Sequence, residues 1–261
     1  MKKGNILKSK ILQQVLFLCA IVVVWQIVYI IGVDLLGIWK SYAMPSPLGV
    51  WNSLCFLLSD GSLISAIGYS LLRGLIGYTI SVVIGCLLGL LMNHFSYLQR
   101  NLRPLIMGIQ TLPSVCWVLF SILWFGLTQQ AIIFVVVMGS AFSMSIAADN
   151  AIRNVPAIYK KAALTMGISK KQMYREIILP ACLPELISGL KQGWSFAWRA
   201  LMSGEVMTTC IGLGQTLITG RNLADINQVM LVMIVIVLVG IVIDQVFFRQ
   251  LERNVYKKRG L

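Results

Sequence analysis

An all-α membrane bundle of about six spanning helices is the fold class this sequence predicts, and three observations carry the prediction. Of 261 residues, 58% are hydrophobic and only 12% charged, against about a quarter charged in ordinary soluble domains. The apolar residues gather into six runs, most near the ~20 residues that a bilayer crossing needs. The basic residues sit at the ends of those runs, not in one stripe. The net charge of +13 therefore reads as topology-setting charge and excludes nucleic acid as a partner.

The predicted spans are 11–31, 70–92, 105–125, 131–148, 186–208 and 229–248, within one transmembrane domain over 1–261. The first follows a basic start but is longer than a signal-peptide core and lacks a small-x-small cleavage site, so it reads as a retained span. With the N-terminus inside, the cytoplasmic segments carry Lys2, Lys3, Lys8, Lys10, Arg100, Arg103, Arg153, Lys160, Lys161, Lys170, Lys171, Arg175, Arg249, Arg253, Lys257, Lys258 and Arg259. The outside segments hold only Lys40 and Arg221. This partition predicts that both termini are cytoplasmic.

The external segment 32–69 is broken by Pro45-Ser-Pro47, and Pro47 opens a helical pattern of Leu48, Trp51, Leu54, Cys55 and Leu58. It is too short to span, so it is expected along the outer interface, ending at Gly61. In the second span Gly85 and Gly89 form a small-xxx-small step for close helix packing. The six cysteines are scattered singly, which supports neither a disulfide framework nor a metal site. His94, the only histidine, reads as an interfacial side chain.

Between the fourth and fifth spans lies the one sizeable cytoplasmic insert, a hairpin over 150–184. Pro156 is suited to open a helix, Ala157 to Met166 are good helix formers, and Gly167 is a natural C-terminal cap. Ser169-Lys-Lys-Gln172 matches a capping box, and the second helix is expected to run until Pro180 stops or kinks it. On spacing alone this is either an amphipathic hairpin anchored by its lysines at the inner leaflet or a docking surface. Ala162, Ala163 and Gly167 supply the low bulk that docking needs.

The order Lys161-Ala-Ala, Gly167, Ile177-x-Leu-Pro180 resembles the EAA loop of ABC importer permeases. Met44-Pro-Ser-Pro47, Ser70-Leu-Leu-Arg73, Leu112-Pro113, Trp124-Phe-Gly126, Leu179-Pro-x-x-Leu-Pro184, Ser188-Gly-Leu-Lys191, Gly204-Glu205, Gly212-Leu-Gly214 and Ile243-Asp244 are similar to the nitrate, sulfonate and taurine group of that family. The resemblance spans residues 40–255. It implies a type I importer permease fold in a bacterial inner membrane. The implied partners are a cytoplasmic ATPase dimer, a solute-binding protein or lipoprotein, and a second permease copy as a homodimer. ATP and Mg would be bound by the ATPase, with no cofactor in this chain.

The implied coupling residues are Lys160, Lys161, Ala162, Ala163, Met166, Gly167, Ser169, Ile177, Leu179 and Pro180. Lys161 stands where the family has glutamate, so the acidic contact of that position does not carry over. The solute implied is a small anion such as a sulfonate, taurine or nitrate.

Arg199 and Glu205 fall inside the fifth predicted span, and Asp244 toward the inner end of the sixth. A charge at bilayer depth costs about 2.5–3.5 kcal/mol or more unless paired or facing water. Arg199 and Glu205 are six apart and share no helix face. Arg199 is the candidate for attracting an anion. Glu205 either joins it on the path or satisfies Arg73 or buried backbone, and Asp244 is expected to pair with Arg249 or Arg199. Trp117, Phe120, Trp194 and Trp198 line the path or form interfacial belts.

No phosphate loop, Ser/His/Asp set or HExxH occurs, so no catalytic role is expected. An ion-driven carrier or channel is the rival reading, for which the intramembrane charges are thin material and no internal repeat is visible.

Overall fold

The computed structural model describes residues 2–257. Among these, four helices are long and apolar enough to cross a membrane, or five if one bent pair counts as a single span. The expected count of six is therefore approximate. The described chain is helical without strands and divides into two compact units, residues 1–64 with 216–235 and residues 65–215 with 236–261.

In the first unit α1 (Lys2–Tyr29) runs into a wide π turn, Ile30–Leu35. Trp25 Nε1 donates to Pro45 O at 3.0 Å. The Pro45-Ser-Pro47 break then starts α2 (Pro47–Ser59), where Ser46 Oγ accepts from Gly49 N at 3.0 Å and Pro47 occupies the first turn. Gly61, at φ +72°, follows the helix as expected.

The helix α3 is a single element, Ser62–His94, and begins eight residues before the predicted span; Leu63 and Ala66 are buried there. Its glycines bring it close to a later helix, α6 (Gln129–Arg153). A Cβ on Gly77 would lie 2.6 Å from Val136 Cγ1, and one on Gly89 2.6 Å from Ala148 Cβ. Both approaches work only with a hydrogen at that position.

The span predicted at 105–125 is not one straight helix. It is α4 (Ser96–Gln110) and α5 (Ser114–Phe125), bent by 94°. Pro113 lacks an N–H and disfavours helical backbone at Leu112, so the chain turns there. α5 and α9 (Leu179–Met207) both pack on α6. Gly139 meets Ala200, and Gly189 meets Ala147, along the α6–α9 seam.

Between α6 and α9 lies the insert: α7 (Ala157–Thr165), the short α8 (Lys170–Gln172), and a π turn, Met173–Ile178. Of the two outcomes expected at Pro180, a stop or a kink, the stop does not occur. The wide turn before it removes the clash of its ring with the preceding helical carbonyl, and α9 continues without a break to Met207.

The chain finishes with α10 (Leu213–Asn222), α11 (Ile226–Ile243), a π turn (Asp244–Phe248) and α12 (Arg249–Lys257). Ala224 closes α10 at φ 55°, and Asp225 N donates to Gly220 O at 2.9 Å. Asp225 Oδ1 then accepts from Asn227 N and Gln228 N at 3.0 and 3.1 Å, capping α11.

Candidate functional site: a polar helix face, a buried ion cluster and a helical hairpin

All three candidate sites lie in the second unit. α9 carries Glu185, Lys191, Arg199 and Glu205 and is absent from the set of strongly apolar helices. Between Ala181 and Val206 only Ser188, Gln192, Ser195 and Arg199 are exposed. Their spacing of four, three and four residues places them on one helix face. Half-buried Ser203 extends that face, and its hydroxyl lies 2.9 Å from Ser114 Oγ of α5.

The contrast with the neighbouring spans is sharp. Exposed positions of α3 include Leu72, Leu75, Ile76, Val83 and Leu87, and those of α11 include Met233, Val237, Leu238, Ile241 and Val242. Such side chains suit a lipid environment. A row of serine, glutamine and arginine does not.

The predicted path residues are not all brought to this face. Phe120 is exposed and Trp117 half-buried on α5, their rings 6.3 Å apart. Trp194 and Trp198 are buried instead. They stack at 6.0 Å, and Trp194 meets the edge of Tyr78 at 5.2 Å. Trp198 Nε1 donates to Ile236 O at 3.3 Å. These two tryptophans are packing groups in this conformation.

Glu205 is also withdrawn from any open surface, 0% exposed, with Arg73 at 2%. Arg73 Nη1 donates to Glu205 Oε1 at 2.6 Å, and its second terminal nitrogen donates to the Ile211 carbonyl. The Ser70 hydroxyl lies 2.7 Å from Glu205 Oε2 and accepts from Leu213 N at 2.9 Å. Gly214 N donates to Oε2 at 3.0 Å.

Gly212 must be small, because a Cβ there would sit 2.5 Å from Glu205 Oε1. Three motifs separated by up to 144 positions in the chain thus close into one buried knot: Ser70–Arg73, Gly204-Glu205 and Gly212-Leu-Gly214. Of the alternatives open to Glu205, it takes both Arg73 and buried backbone.

Asp244 pairs with neither Arg249 nor Arg199. Its carboxylate lies 3.1 Å from Lys191 Nζ, which α9 presents one position before the exposed Gln192. Sequence reading passed over Asp149, 0% exposed near the C-terminal end of α6. It accepts from Arg103 of α4, while Arg103 Nη2 reaches Asn150 Oδ1 at 2.8 Å. An acid closing an otherwise apolar run was the available signal.

The hairpin forms much as its caps foretell. Ile168 N donates to Ala163 O and Gly167 N to Leu164 O, both at 3.1 Å, with Gly167 at φ +69°. This is the six-to-one, five-to-two pattern of a Schellman cap, and glycine adopts its left-handed backbone without strain. The capping box is only half made. Ser169 Oγ accepts from Gln172 N at 3.3 Å, but Gln172 Oε1 accepts from the serine hydroxyl instead of reaching a backbone amide.

On α7 and the residue that caps its C-terminus, Ile158 is 66% exposed and Met166 75% exposed, with Ala162 between them on the same face. Ala163 is only 1% exposed, in the helix that packs on the π turn Met173–Ile178. It supports the hairpin and cannot offer a surface. Lys161, Gly167, Ser169 and Leu179 are exposed, whereas Lys160, Ile177 and Pro180 are half-buried. Pro156, Tyr159, Glu176, Ile177, Pro180 and Ala181 border an open notch of about 470 Å³ beside this face.

Residues 81–257 match the family described as "Binding-protein-dependent transport system inner membrane component". The chain is 30% identical over 225 residues to a putative aliphatic sulfonates transport permease protein, SsuC, of Escherichia coli, covering 86% of this chain and 83% of that one. It is 23% identical over 249 residues to the nitrate import permease protein NrtB of Synechocystis sp., covering 92% and 88%. Its backbone superposes on an inward-facing structure of the MetNI methionine ABC transporter with a TM-score of 0.64 and 21% identity. That match covers 74% of this chain and 96% of that one.

Proposed function

This chain belongs to the binding-protein-dependent transport inner-membrane family, as an ABC importer permease of the nitrate, sulfonate and bicarbonate group. From that premise we propose that it forms the translocation path for a small organic or inorganic anion, with sulfonates, taurine and nitrate as the leading candidates. A separate cytoplasmic ATPase drives it through the 156–180 hairpin. The observation that carries the reading is the polar face of α9, Ser188, Gln192, Ser195 and Arg199, in a membrane helix whose other residues between Ala181 and Val206 are all at least half-buried.

A face of that kind needs water or another protein surface, not lipid. Two copies of the chain facing each other would supply both, which favours a homodimer around a shared path. Phe120 and Trp117 on α5 are placed to border the path, while Trp194, Trp198 and Glu205 hold its wall from behind.

The driving end is the hairpin. The exposed row Ile158, Ala162 and Met166 offers an apolar, low-relief surface next to the notch at Tyr159 and Ile177, as a helix seated in a partner's cleft requires. Closure of the ATPase dimer on ATP and Mg draws two such hairpins together. Because α7, the π turn and α9 are continuous or packed on one another, the movement passes directly to the polar face. Both termini, rich in lysine and arginine, lie on the same cytoplasmic side.

The test is reconstituted uptake with and without the ATPase. With the ATPase and a loaded binding protein, vesicles should accumulate [14C]taurine or nitrate only when ATP is inside the ATPase-facing compartment. Accumulation driven by a proton or sodium gradient without any ATPase would overturn the reading in favour of an ion-driven carrier.

A further inference from the structure

Arg199 is the one charged residue on the exposed face of α9, and the structure leaves its charge unanswered. Among the described residues the ion pairs are Arg73–Glu205, Arg103–Asp149, Arg153–Asp149 and Lys191–Asp244. The buried and intramembrane carboxylates are thus taken, and none of them faces Arg199. Its guanidinium is nevertheless held in place. Nε donates to Ser195 O one turn earlier at 3.2 Å, and the group lies 4.7 Å from the centre of the Phe196 ring.

That arrangement fixes one edge of the guanidinium plane to its own helix. The two terminal nitrogens, the fork that reads planar or tetrahedral oxyanions with two hydrogen bonds, have no partner among the described residues. Ser195 and Ser203, four residues to either side, add hydroxyls on the same strip. A fixed cation in a water-lined passage with low-dielectric walls raises the local concentration of anions and lowers that of cations.

We propose that Arg199 is the residue that makes this path selective for oxyanions, offering its free fork to the sulfonate, nitrate or carboxylate group of the passing solute. The proposal rests on α9 lining the path. If two copies face each other, their two Arg199 side chains repel across the axis unless an anion lies between them, which strengthens the preference.

The experiment separates the two claims. In a full-length protein with its native cysteines replaced by alanine, Ser195→Cys is reacted in membrane vesicles with two thiol reagents of matched size. One is anionic (sulfonatoethyl methanethiosulfonate) and one cationic (trimethylammonioethyl methanethiosulfonate). Each rate is normalised to that with a free thiol. A unit charge ~6 Å away in water changes either rate about threefold in opposite directions, so the anionic reagent should lead by about tenfold.

Arg199→Gln should bring that ratio close to one, Arg199→Lys should keep it, and ~1 M salt should shrink it through screening. The salt arm reads the charge even if Arg199→Gln folds poorly. Equal rates with Arg199 present, or an undiminished ratio in Arg199→Gln, would overturn the selectivity claim while leaving the path intact. Failure of Ser195→Cys and Gln192→Cys to react with either reagent would overturn the path reading itself.

Discussion

Replacing Arg73 by methionine should be among the most destabilising single changes in this chain. The side chain is 2% exposed and faces a carboxylate that is 0% exposed. Methionine fills comparable volume but leaves Glu205 with Gly214 N and the Ser70 hydroxyl as its remaining donors, and leaves the Ile211 carbonyl without Arg73. Breaking a buried pair from one side costs about 3–5 kcal/mol, because the surviving charge stays buried without its counter-ion. At about 2–4 °C per kcal/mol for a chain of this size, the midpoint of thermal unfolding should fall by ~10 °C.

The double variant Arg73→Met/Glu205→Met removes both charges and should recover much of that loss, so the two substitutions should be strongly non-additive. Intrinsic tryptophan fluorescence in detergent micelles reads both values, with Trp194 and Trp198 buried in the same unit as reporters. A fall of less than ~2 °C for Arg73→Met, or simple additivity in the double variant, would refute the knot as a coupled buried pair.

Gly167→Ala should weaken the hairpin cap by about 1 kcal/mol, since alanine resists the left-handed backbone. Amide exchange over residues 163–168 should then speed up roughly fivefold, with distant helices unchanged. Conversely, Ala224→Gly relieves the one described non-glycine residue at positive φ and should raise the unfolding midpoint by ~2–4 °C. Ala163→Glu should loosen the hairpin by forcing a carboxylate into a buried position. Because of that, rapid proteolysis at 156–170 is the measurement that suits it, not partner binding. Val83→Ser, on the apolar exposed face of α3, should leave transport within about twofold, whereas Gln192→Leu on the α9 face should lower it several-fold.

What could be read in the sequence was local or periodic. The hairpin's caps at Pro156 and Gly167 depend on a few neighbouring residues, and they formed as written. The small-residue step of Gly85 and Gly89 fixed which face of α3 meets α6. The 94° break was half legible: Leu112-Pro113 forbids a smooth helix, yet a hydropathy window passes over two residues without registering them. The π turns before Pro180 and at Asp244 carried no sequence signal, because such turns answer to packing against other helices.

For Glu205 the sequence offered Arg73 or buried backbone as partners, but not the convergence of both with Ser70 on one carboxylate. Ser70, Arg73, Glu205 and Gly214 lie on three separate stretches, and only folding shows that one carboxylate gathers them all. The same limit explains the misplaced partner of Asp244. Lys191 is 53 residues away in sequence, and proximity in the chain favoured Arg249.

The most direct test of the central claim concerns the exposed row on α7. Met166→Asp places a charge on a surface residue that is 75% exposed, so it should leave the unfolding midpoint within ~1 °C of the parent protein. If the hairpin is where the ATPase grips, co-purification of the cognate ATPase should nonetheless weaken by about thirtyfold, the loss of one central interface residue worth ~2 kcal/mol, and stimulated ATP hydrolysis should fall with it. Undiminished ATPase retention and stimulation in a stably folded Met166→Asp protein would contradict the account.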